Sequence, residues 1–202
     1  LDVNLVEIET NVRPFMLRWL ADSWGKLAYG SALASVGLAL SSQFRKIYIP
    51  SGHTYAHLHP RGTHPLLDPL WSTEATEFVF DGAEASRVEK AALVAQSDIA
   101  MKTLRVCLQN PGGTYNCGRC EKCLRTMINL QAVGALEKCK TFDTKIDLRL
   151  VNSLLVDSDN IGVLAYIQEN LEALETYGAE PDLQRVLRRL LKRRNKLENL
   201  IL

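Results

Sequence analysis

The sequence has almost no net charge, no long apolar run and no signal-peptide pattern. Its 24 basic and 23 acidic residues leave a formal net charge of +1, so charge alone gives no reason to expect binding to nucleic acid or a membrane. The most apolar stretch, residues 27–40, is too short to span a bilayer and is diluted by Gly and Ala. We therefore expect no membrane segment and no secretion.

An initiator Met is also missing, since the chain begins on Leu1 and runs at once into a strand-like segment. Because Met is not normally removed before a residue as large as Leu, we expect the natural chain to extend upstream. The composition, 47% hydrophobic and 23% charged, fits one globular domain with or without an appendage. No internal repeat or low-complexity linker is visible.

The order of secondary-structure signals predicts an α/β fold with a mostly parallel sheet. Strands are predicted over residues 1–9, 45–50, 77–80 and 104–107, and helices over 14–24, 25–42 and 86–96. Ser86 and Glu89 form a capping-box pattern at the start of the last of these helices. Gly30, Ala34 and Gly37 fall at helical spacing and would let their helix lie close against a sheet. Helices over 121–133, 160–177 and 181–202 complete the pattern.

Four of the five cysteines form a compact motif with the spacing C-x9-C-x2-C-x2-C. Its members are Cys107, Cys117, Cys120 and Cys123. Two overlapping C-x2-C steps can aim their sulfurs at one ion, and the Gly-containing loop at 111–113 lets the fourth sulfur close a tetrahedron, which favours zinc. Alternatives are an iron–sulfur cluster and cysteines that are free or in disulfides. Cys139 is expected to be a bystander.

Four thiolates leave no coordination position for water, so we expect the zinc to be structural rather than catalytic. Thiols arranged for a metal also imply a reducing compartment, most simply the cytoplasm.

All four histidines lie in one loop, residues 51–73, directly after the predicted strand at 45–50. Ligands of open α/β sheets bind beyond the carboxyl ends of strands, and loops of this length are usually functional. We therefore predict that the loop binds a polar or anionic small molecule. The candidate substrate-binding residues are Ser51, His53, Arg61, His64 and Asp68. Alternatives are a second metal site at His57, His59 and Asp68, or histidines with no role beyond the surface.

The last predicted helix is amphipathic, with Arg and Lys on one face and Leu and Val on the other. The simplest interpretation is a packed helix with a solvated basic face. The alternative function is a zinc-stabilised, non-catalytic module that binds nucleic acid or a protein partner through this face. The absence of interleaved aromatic residues argues against base stacking.

The cysteine spacing and the segment NCGRCEKCLR resemble the C-G-x-C-x-x-C-x-x-R zinc segment of 7-cyano-7-deazaguanine synthase and related N-type ATP pyrophosphatases. These enzymes belong to the adenine-nucleotide α-hydrolase-like superfamily. The resemblance covers roughly residues 1–133 and is specific at the cysteines. It implies a Rossmann-like fold and an enzyme that cleaves ATP, with Mg, to AMP and pyrophosphate. Such a ligase would activate a carboxylate or carbonyl oxygen for attack by a nitrogen or sulfur nucleophile.

Under this resemblance, residues 1–106 are the C-terminal part of a nucleotide-binding domain. Residues 107–146 form the zinc segment with its helix, and 147–202 form a helical extension. Arg87, Arg105 and Arg125 are the candidates for contact with ATP phosphates, the alternative being plain surface charges. Partners would be ATP and a small-molecule substrate, and the sequence leaves open whether a homodimer forms.

Two features of the family are missing from this sequence. The phosphate-cradling loop S-G-G-x-D-S is absent, and its place would be upstream of Leu1. The substrate loop lacks the Asp-Tyr-Ser-Gly pattern of the deazaguanine enzymes, so their substrate is not carried over. No catalytic side chain is assigned, because catalysis in this family rests mostly on positioning and charge neutralisation.

Overall fold

Two compact units make up the chain, Leu1–Ala83 and Glu84–Leu202. The computed structural model describes residues 3–19, 24–109, 111–142, 145–154 and 161–201. Within these ranges, none of the helices combines the length and the apolarity that crossing a bilayer requires.

The N-terminal unit contains a two-stranded parallel sheet. Its elements are α1 (Val12–Leu17), a π-helical turn (Trp24–Ala28), α2 (Tyr29–Ala39), β1 (Lys46–Pro50) and β2 (Glu77–Asp81). The register runs from Lys46 opposite Glu77 to Pro50 opposite Asp81. An ion pair of 2.8 Å between Lys46 Nζ and Glu77 Oε2 joins the first of these cross-strand pairs. The prediction of a mixed α/β architecture with parallel strands is confirmed at this level.

Small residues let α2 lie directly on the sheet, as the sequence predicts. Ala34 is buried against Ile49 and Phe78 in the core of this unit. A Cβ atom on Gly37 would come within 2.8 Å of the side chains of Ile47 and Phe78. Helix and sheet therefore approach more closely here than any residue with a side chain would permit.

The histidine-containing loop is anchored on α2 through glycine. A Cβ on Gly30 would lie 1.5 Å from the carbonyl oxygen of Gly62, so the two backbones touch. Beside this contact the Tyr29 hydroxyl hydrogen-bonds to Thr63 Oγ1. The loop also folds into two short 3-10 helices, Tyr55–His57 and Asp68–Trp71. The contact with α2 fixes the middle of the loop, and the turns order the segments on either side.

The C-terminal unit is helical in the part that is described. Its helices are α3 (Arg87–Val94), α4 (Asp98–Thr103), α5 (Glu121–Ala132), α6 (Leu148–Asn152), α7 (Ile161–Thr176) and α8 (Pro181–Ile201). Helices α3, α5 and α7 pack against one another, and α8 packs against α6 and α7. Gly134 and Gly178 follow α5 and α7 with φ of +65° and +64°, the left-handed conformation that ends helices.

Both hydrogen bonds of the predicted capping box are present at the start of α3. Ser86 Oγ accepts from the N–H of Glu89, and Glu89 Oε2 accepts from the N–H of Ser86. Because these bonds satisfy two backbone donors at once, α3 begins at Arg87 as the sequence predicts.

Two predicted strands are wrong. Residues 3–9 have the alternating pattern of a strand but form no ladder, and Val3 and Leu5 are exposed. Residues 104–107 are also not a strand, because a side chain takes the place of a neighbouring strand. Asn116 Oδ1 accepts from the N–H groups of Val106 and Cys107, and its Nδ2 donates to the carbonyl of Leu104. An alternating or apolar pattern makes a strand only where a partner backbone is available.

We predict that Gly30→Ala destabilises the protein by about 3 kcal/mol, the upper end of the range for overpacking. The added methyl group would overlap the Gly62 carbonyl and push the histidine-containing loop away from α2. Urea unfolding of the wild-type and variant proteins measures the effect. Gly25→Ala is the matched control, since a Cβ at Gly25 meets no atom within 4 Å. Equal stability of the two variants would contradict the proposed anchoring contact.

Candidate functional site

The four motif cysteines converge on one point of the C-terminal unit. Their sulfur atoms all lie within 4.8 Å of one another, and Cys107 and Cys123 are buried. Cys117 Sγ and Cys123 Sγ are 3.8 Å apart. A tetrahedral zinc ion with Zn–S bonds of about 2.3 Å places its sulfurs about 3.8 Å apart. The four cysteines therefore form a site that could bind a metal ion such as zinc.

The positions of the sulfur atoms also bear on the two alternatives, an iron–sulfur cluster and cysteines that are free or in disulfides. None of the five cysteines is in a disulfide. A multi-iron cluster spreads its ligand sulfurs around a core of several atoms, whereas sulfurs this close together suit a single ion. Cys139 lies outside the group, and its Sγ is 3.4 Å from Thr141 Oγ1. The expectation that Cys139 is a bystander agrees with this position.

The local backbone conformation positions the sulfur atoms of Cys117, Cys120 and Cys123. Cys120 is the N-cap residue of α5 and Cys123 lies in the first turn, so the start of the helix presents both sulfurs. The N–H of Cys120 donates to Cys117 Sγ over 3.3 Å. Between them, Gly118 adopts a φ of +65°, which turns the chain tightly enough for this contact.

The pKa values of the thiols differ across the site. Burial raises the pKa of the Cys120 and Cys123 thiols. Burial acts in the same direction on Cys117, but the N–H groups of Arg119 and Cys120 outweigh it and lower the pKa of that thiol. Because zinc binds thiolates, metal binding must displace protons from Cys120 and Cys123.

Asn116, which sequence reasoning missed, holds the two halves of the motif together. Besides its bonds to residues 104–107, its Nδ2 donates to Thr141 Oγ1 over 3.1 Å. The side-chain amide thus joins the segment carrying Cys107 to the segment carrying Cys117. Its position directly before Cys117 was the only signal, and an Asn in a loop is too common to be diagnostic.

In the N-terminal unit, the buried His53 and the half-buried Arg61 form a polar pair. Arg61 Nη1 donates to His53 Nε2 over 3.2 Å, and the guanidinium lies 5.9 Å from the ring centre of Tyr29. Because a guanidinium can only donate, His53 must be neutral with its proton on Nδ1. The rings of His53 and His59 meet edge to face at 4.6 Å. Ser51, also buried, continues the strand pairing by donating its N–H to the Asp81 carbonyl.

His64 and Asp68 form a second pair in the same loop. Asp68 is fully buried, and its Oδ1 accepts from the N–H of His64 over 3.1 Å. Burial raises the pKa of the Asp68 carboxyl, although the hydrogen bond from His64 acts in the opposite direction. Among the described residues, Asp68 Oδ2 has no hydrogen-bond partner. The five predicted substrate-binding residues thus separate into the pair His53–Arg61, the pair His64–Asp68, and Ser51 at the strand end.

The alternative metal site at His57, His59 and Asp68 is not formed. His57 Nδ1 is engaged with Thr54 Oγ1 at 3.0 Å, and His59 Nδ1 with the His57 carbonyl at 3.1 Å. Across the described ranges, the four cysteines are the group whose ligand atoms are close enough to hold an ion.

Two of the three candidate phosphate-binding arginines come together on one tyrosine of α7. The guanidinium carbon of Arg125 lies 4.1 Å from the ring centre of Tyr166, and that of Arg87 lies 5.0 Å from it. Arg125 also pairs with Glu121 at 3.0 Å. Arg105 is exposed, and the described contacts do not include it in this group.

A carboxylate stands at the start of α3, where the sequence predicts an anion. Glu169 Oε2 accepts from the N–H of Arg87 over 3.3 Å, and Glu169 is only 8% exposed. Sequence reasoning missed Tyr166 and Glu169. The signal was the spacing of Tyr166, Glu169 and Asn170, which places three polar side chains on one face of the helix.

We predict that Cys123→Ser abolishes stoichiometric zinc binding and lowers the free energy of unfolding by several kcal/mol. The substitution replaces a buried thiolate ligand with a hydroxyl, and the closed four-sulfur site cannot compensate. Metal analysis of the purified protein, together with thermal unfolding before and after chelation, measures both effects.

Cys139→Ser is the matched control, because Cys139 is equally buried but lies outside the sulfur cluster. We expect this variant to keep its zinc. Full zinc occupancy in Cys123→Ser would contradict the assignment, as would iron with visible absorption in the wild-type protein.

The chain was compared with protein-family models, with curated proteins and with solved structures, and no match was found. What can be said about function therefore depends on the geometry of the sites themselves.

Proposed function

We propose that this chain belongs to a zinc-stabilised adenylating enzyme of the ATP pyrophosphatase type with a Rossmann-like nucleotide-binding fold. The enzyme converts ATP, with Mg, to AMP and pyrophosphate while it activates a carboxylate or carbonyl oxygen of a small molecule. A nitrogen or sulfur nucleophile then attacks the activated group. The observation that carries the proposal is the four-sulfur site built from C-x9-C-x2-C-x2-C. Its tail, C-G-R-C-E-K-C-L-R, resembles the C-G-x-C-x-x-C-x-x-R segment of these enzymes in its cysteines and glycine, with the Arg one position earlier.

The zinc has a structural role in this proposal. Its four thiolates leave no position for water or substrate. By holding Cys120 and Cys123, the metal fixes the first turn of α5 and with it Arg125, which follows half a turn later. A metal-fixed helix start gives a cationic side chain the defined position that charge neutralisation requires.

Arg87 and Arg125 are the proposed phosphate contacts. Both guanidinium groups face the same tyrosine ring and lie at helices that meet in one unit. Two guanidinium groups so close together can neutralise the charge of a pyrophosphate leaving group.

The histidine-containing loop is the proposed substrate site. It begins at the carboxyl end of β1, where ligands of α/β proteins bind. Arg61 uses one of its N–H groups on His53, and its remaining donors suit a carboxylate. Asp68 is fully buried and accepts from the N–H of His64, so its role in this proposal is to hold the loop at His64.

The direct test is product analysis on the full-length protein with ATP and Mg, separating AMP plus pyrophosphate from ADP plus phosphate. We expect AMP formation that is stimulated by the correct carboxylate substrate. The S-G-G-x-D-S loop is absent from this sequence, and the activity requires a phosphate-binding loop of that kind elsewhere in the protein.

Variants make the test specific. Arg125→Gln should lower kcat/KM for ATP by about tenfold or more, since it removes a charge-assisted contact in the transition state. Arg149→Gln is the control, because Arg149 is exposed on α6 and has no role in either proposed function. Formation of ADP, or no turnover with a broad panel of carboxylates and carbonyl compounds, would refute the proposal.

Binding of nucleic acid through α8 is the second candidate function. Arg185, Arg188, Arg189, Lys192 and Arg193 are exposed on this helix. Three of them have partners inside the chain: Arg185 pairs with Asp182, Arg188 with Glu175, and Arg193 donates to the Asn152 carbonyl. Arg189 and Lys192 have no partner among the described residues, so they are the strongest candidates for phosphate contacts.

If α8 binds nucleic acid, the double variant Arg189→Glu and Lys192→Glu should weaken binding at least tenfold and reduce its salt dependence. Fluorescence anisotropy with a labelled single strand and a labelled duplex, over a range of salt concentrations, measures both quantities. Arg149→Glu, an exposed charge reversal on α6, is the control. Equal affinity of the α8 variant and the wild-type protein would remove this candidate.

A further inference from the structure

A cluster of four polar side chains lies where α3, α5 and α7 pack together. Arg87 comes from α3, Arg125 from α5, and Tyr166 and Glu169 from α7. Tyr166 and Glu169 are 7% and 8% exposed, so the α7 side of the cluster is inside the unit rather than on its surface. The tyrosine ring contacts both guanidinium groups and acts as their common platform.

The two arginines of this cluster differ in their ion pairs. Arg125 forms an ion pair with Glu121 at 3.0 Å. The guanidinium of Arg87 has no carboxylate partner among the described residues. In that part of the chain the Nε atoms of both arginines, and Glu169 Oε1, are buried without a hydrogen-bond partner. Glu169 Oε2 instead accepts from the backbone N–H of Arg87. A buried donor without an acceptor is costly, so the guanidinium of Arg87 is suited to an anion supplied from outside the cluster.

We propose that Arg87, Arg125 and the first backbone N–H of α3 form a binding site for a phosphoryl group, and that Glu169 is an internal anion that competes for this site. The proposal rests on the adenylating function for the identity of the natural ligand, which would be the pyrophosphate portion of ATP. Binding of inorganic pyrophosphate tests the site on its own.

The tyrosine ring brings the two cations to one place. The guanidinium carbons of Arg125 and Arg87 lie 4.1 Å and 5.0 Å from its centre, so both are in cation–π contact with the same ring. A phosphoryl group has several oxygens, each of which can accept from a guanidinium group. The ring of Tyr166 keeps the cations at this spacing when no ligand is bound.

Glu169 limits the affinity of the site in two ways. Its carboxylate occupies the N–H of Arg87, which an incoming phosphoryl oxygen would otherwise use. Its negative charge also repels a second anion at short range in a poorly solvated place. Neutralising Glu169 should therefore strengthen pyrophosphate binding, whereas a residue that merely supports the fold would give no such gain.

The test is calorimetric titration of the zinc-loaded, full-length protein with inorganic pyrophosphate. We expect Glu169→Gln, which keeps the shape and an acceptor oxygen, to lower the Kd about tenfold, and Arg87→Gln to raise it about tenfold. The matched control is Glu172→Gln, which removes an exposed carboxylate from the next turn of α7. This control should bind pyrophosphate as the wild-type protein does.

A second readout covers the case in which Glu169→Gln fails to fold. In the wild-type protein, the NMR resonance of the Arg87 Nε–H group should shift on addition of pyrophosphate, because the buried donor gains an acceptor. An unchanged Arg87 resonance, or equal Kd values for the wild-type, Glu169→Gln and Arg87→Gln proteins, would overturn the inference.

The outcomes separate this inference from the proposed function. Pyrophosphate binding that follows the expected order without any ATP turnover would refute the adenylating enzyme and leave the phosphoryl site standing. ATP turnover with pyrophosphate binding that ignores Arg87 and Glu169 would refute the site and leave the enzyme standing.

Discussion

The convergence of four sulfur atoms at the start of α5 is the constraint on which the C-terminal unit depends. The segment from Leu104 to Cys107 has no strand to pair with and is held by the side chain of Asn116. This segment also carries Cys107, whose sulfur belongs to the four-cysteine cluster. The cluster and the Asn116 side chain therefore hold the segment together. The same cluster lies on the first turn of α5, whose inner face packs Leu124 and Ile128 into the helical core.

The N-terminal unit depends on close contacts of α2 with the sheet and with the histidine-containing loop. Gly37 lets α2 lie on the sheet, and Gly30 lets the same helix touch the backbone of the histidine-containing loop at Gly62. These contacts order the long loop, in which Arg61 donates a hydrogen bond to His53. The two candidate sites of the chain thus have different physical foundations, coordination in one unit and backbone contact in the other.

Local signals in the sequence were sufficient to predict the start of α3, the end of α5, the two strands and the clustering of four cysteines. Ser86 with Glu89, and Gly134, act through hydrogen bonds or φ angles within a few residues, so the sequence shows them directly. The predicted strands at 3–9 and 104–107 failed because a strand needs a distant partner that local patterns do not reveal. Tyr166 was missed for the same reason, because its partners are arginines on two other helices.

The start of α3 shows that a local sequence signal can indicate a place for an anion without indicating which anion lies there. Helix N-termini attract anions, and the sequence made Arg87, at the start of α3, a candidate for contact with phosphate. The anion that the structure places on its N–H is Glu169, which lies far away in the sequence on α7. An internal carboxylate there satisfies one backbone donor but leaves the Arg87 guanidinium without an anionic partner among the described residues. The guanidinium lies over the ring of Tyr166 instead, and a phosphoryl group bound beside it would supply the anionic partner that Glu169 does not.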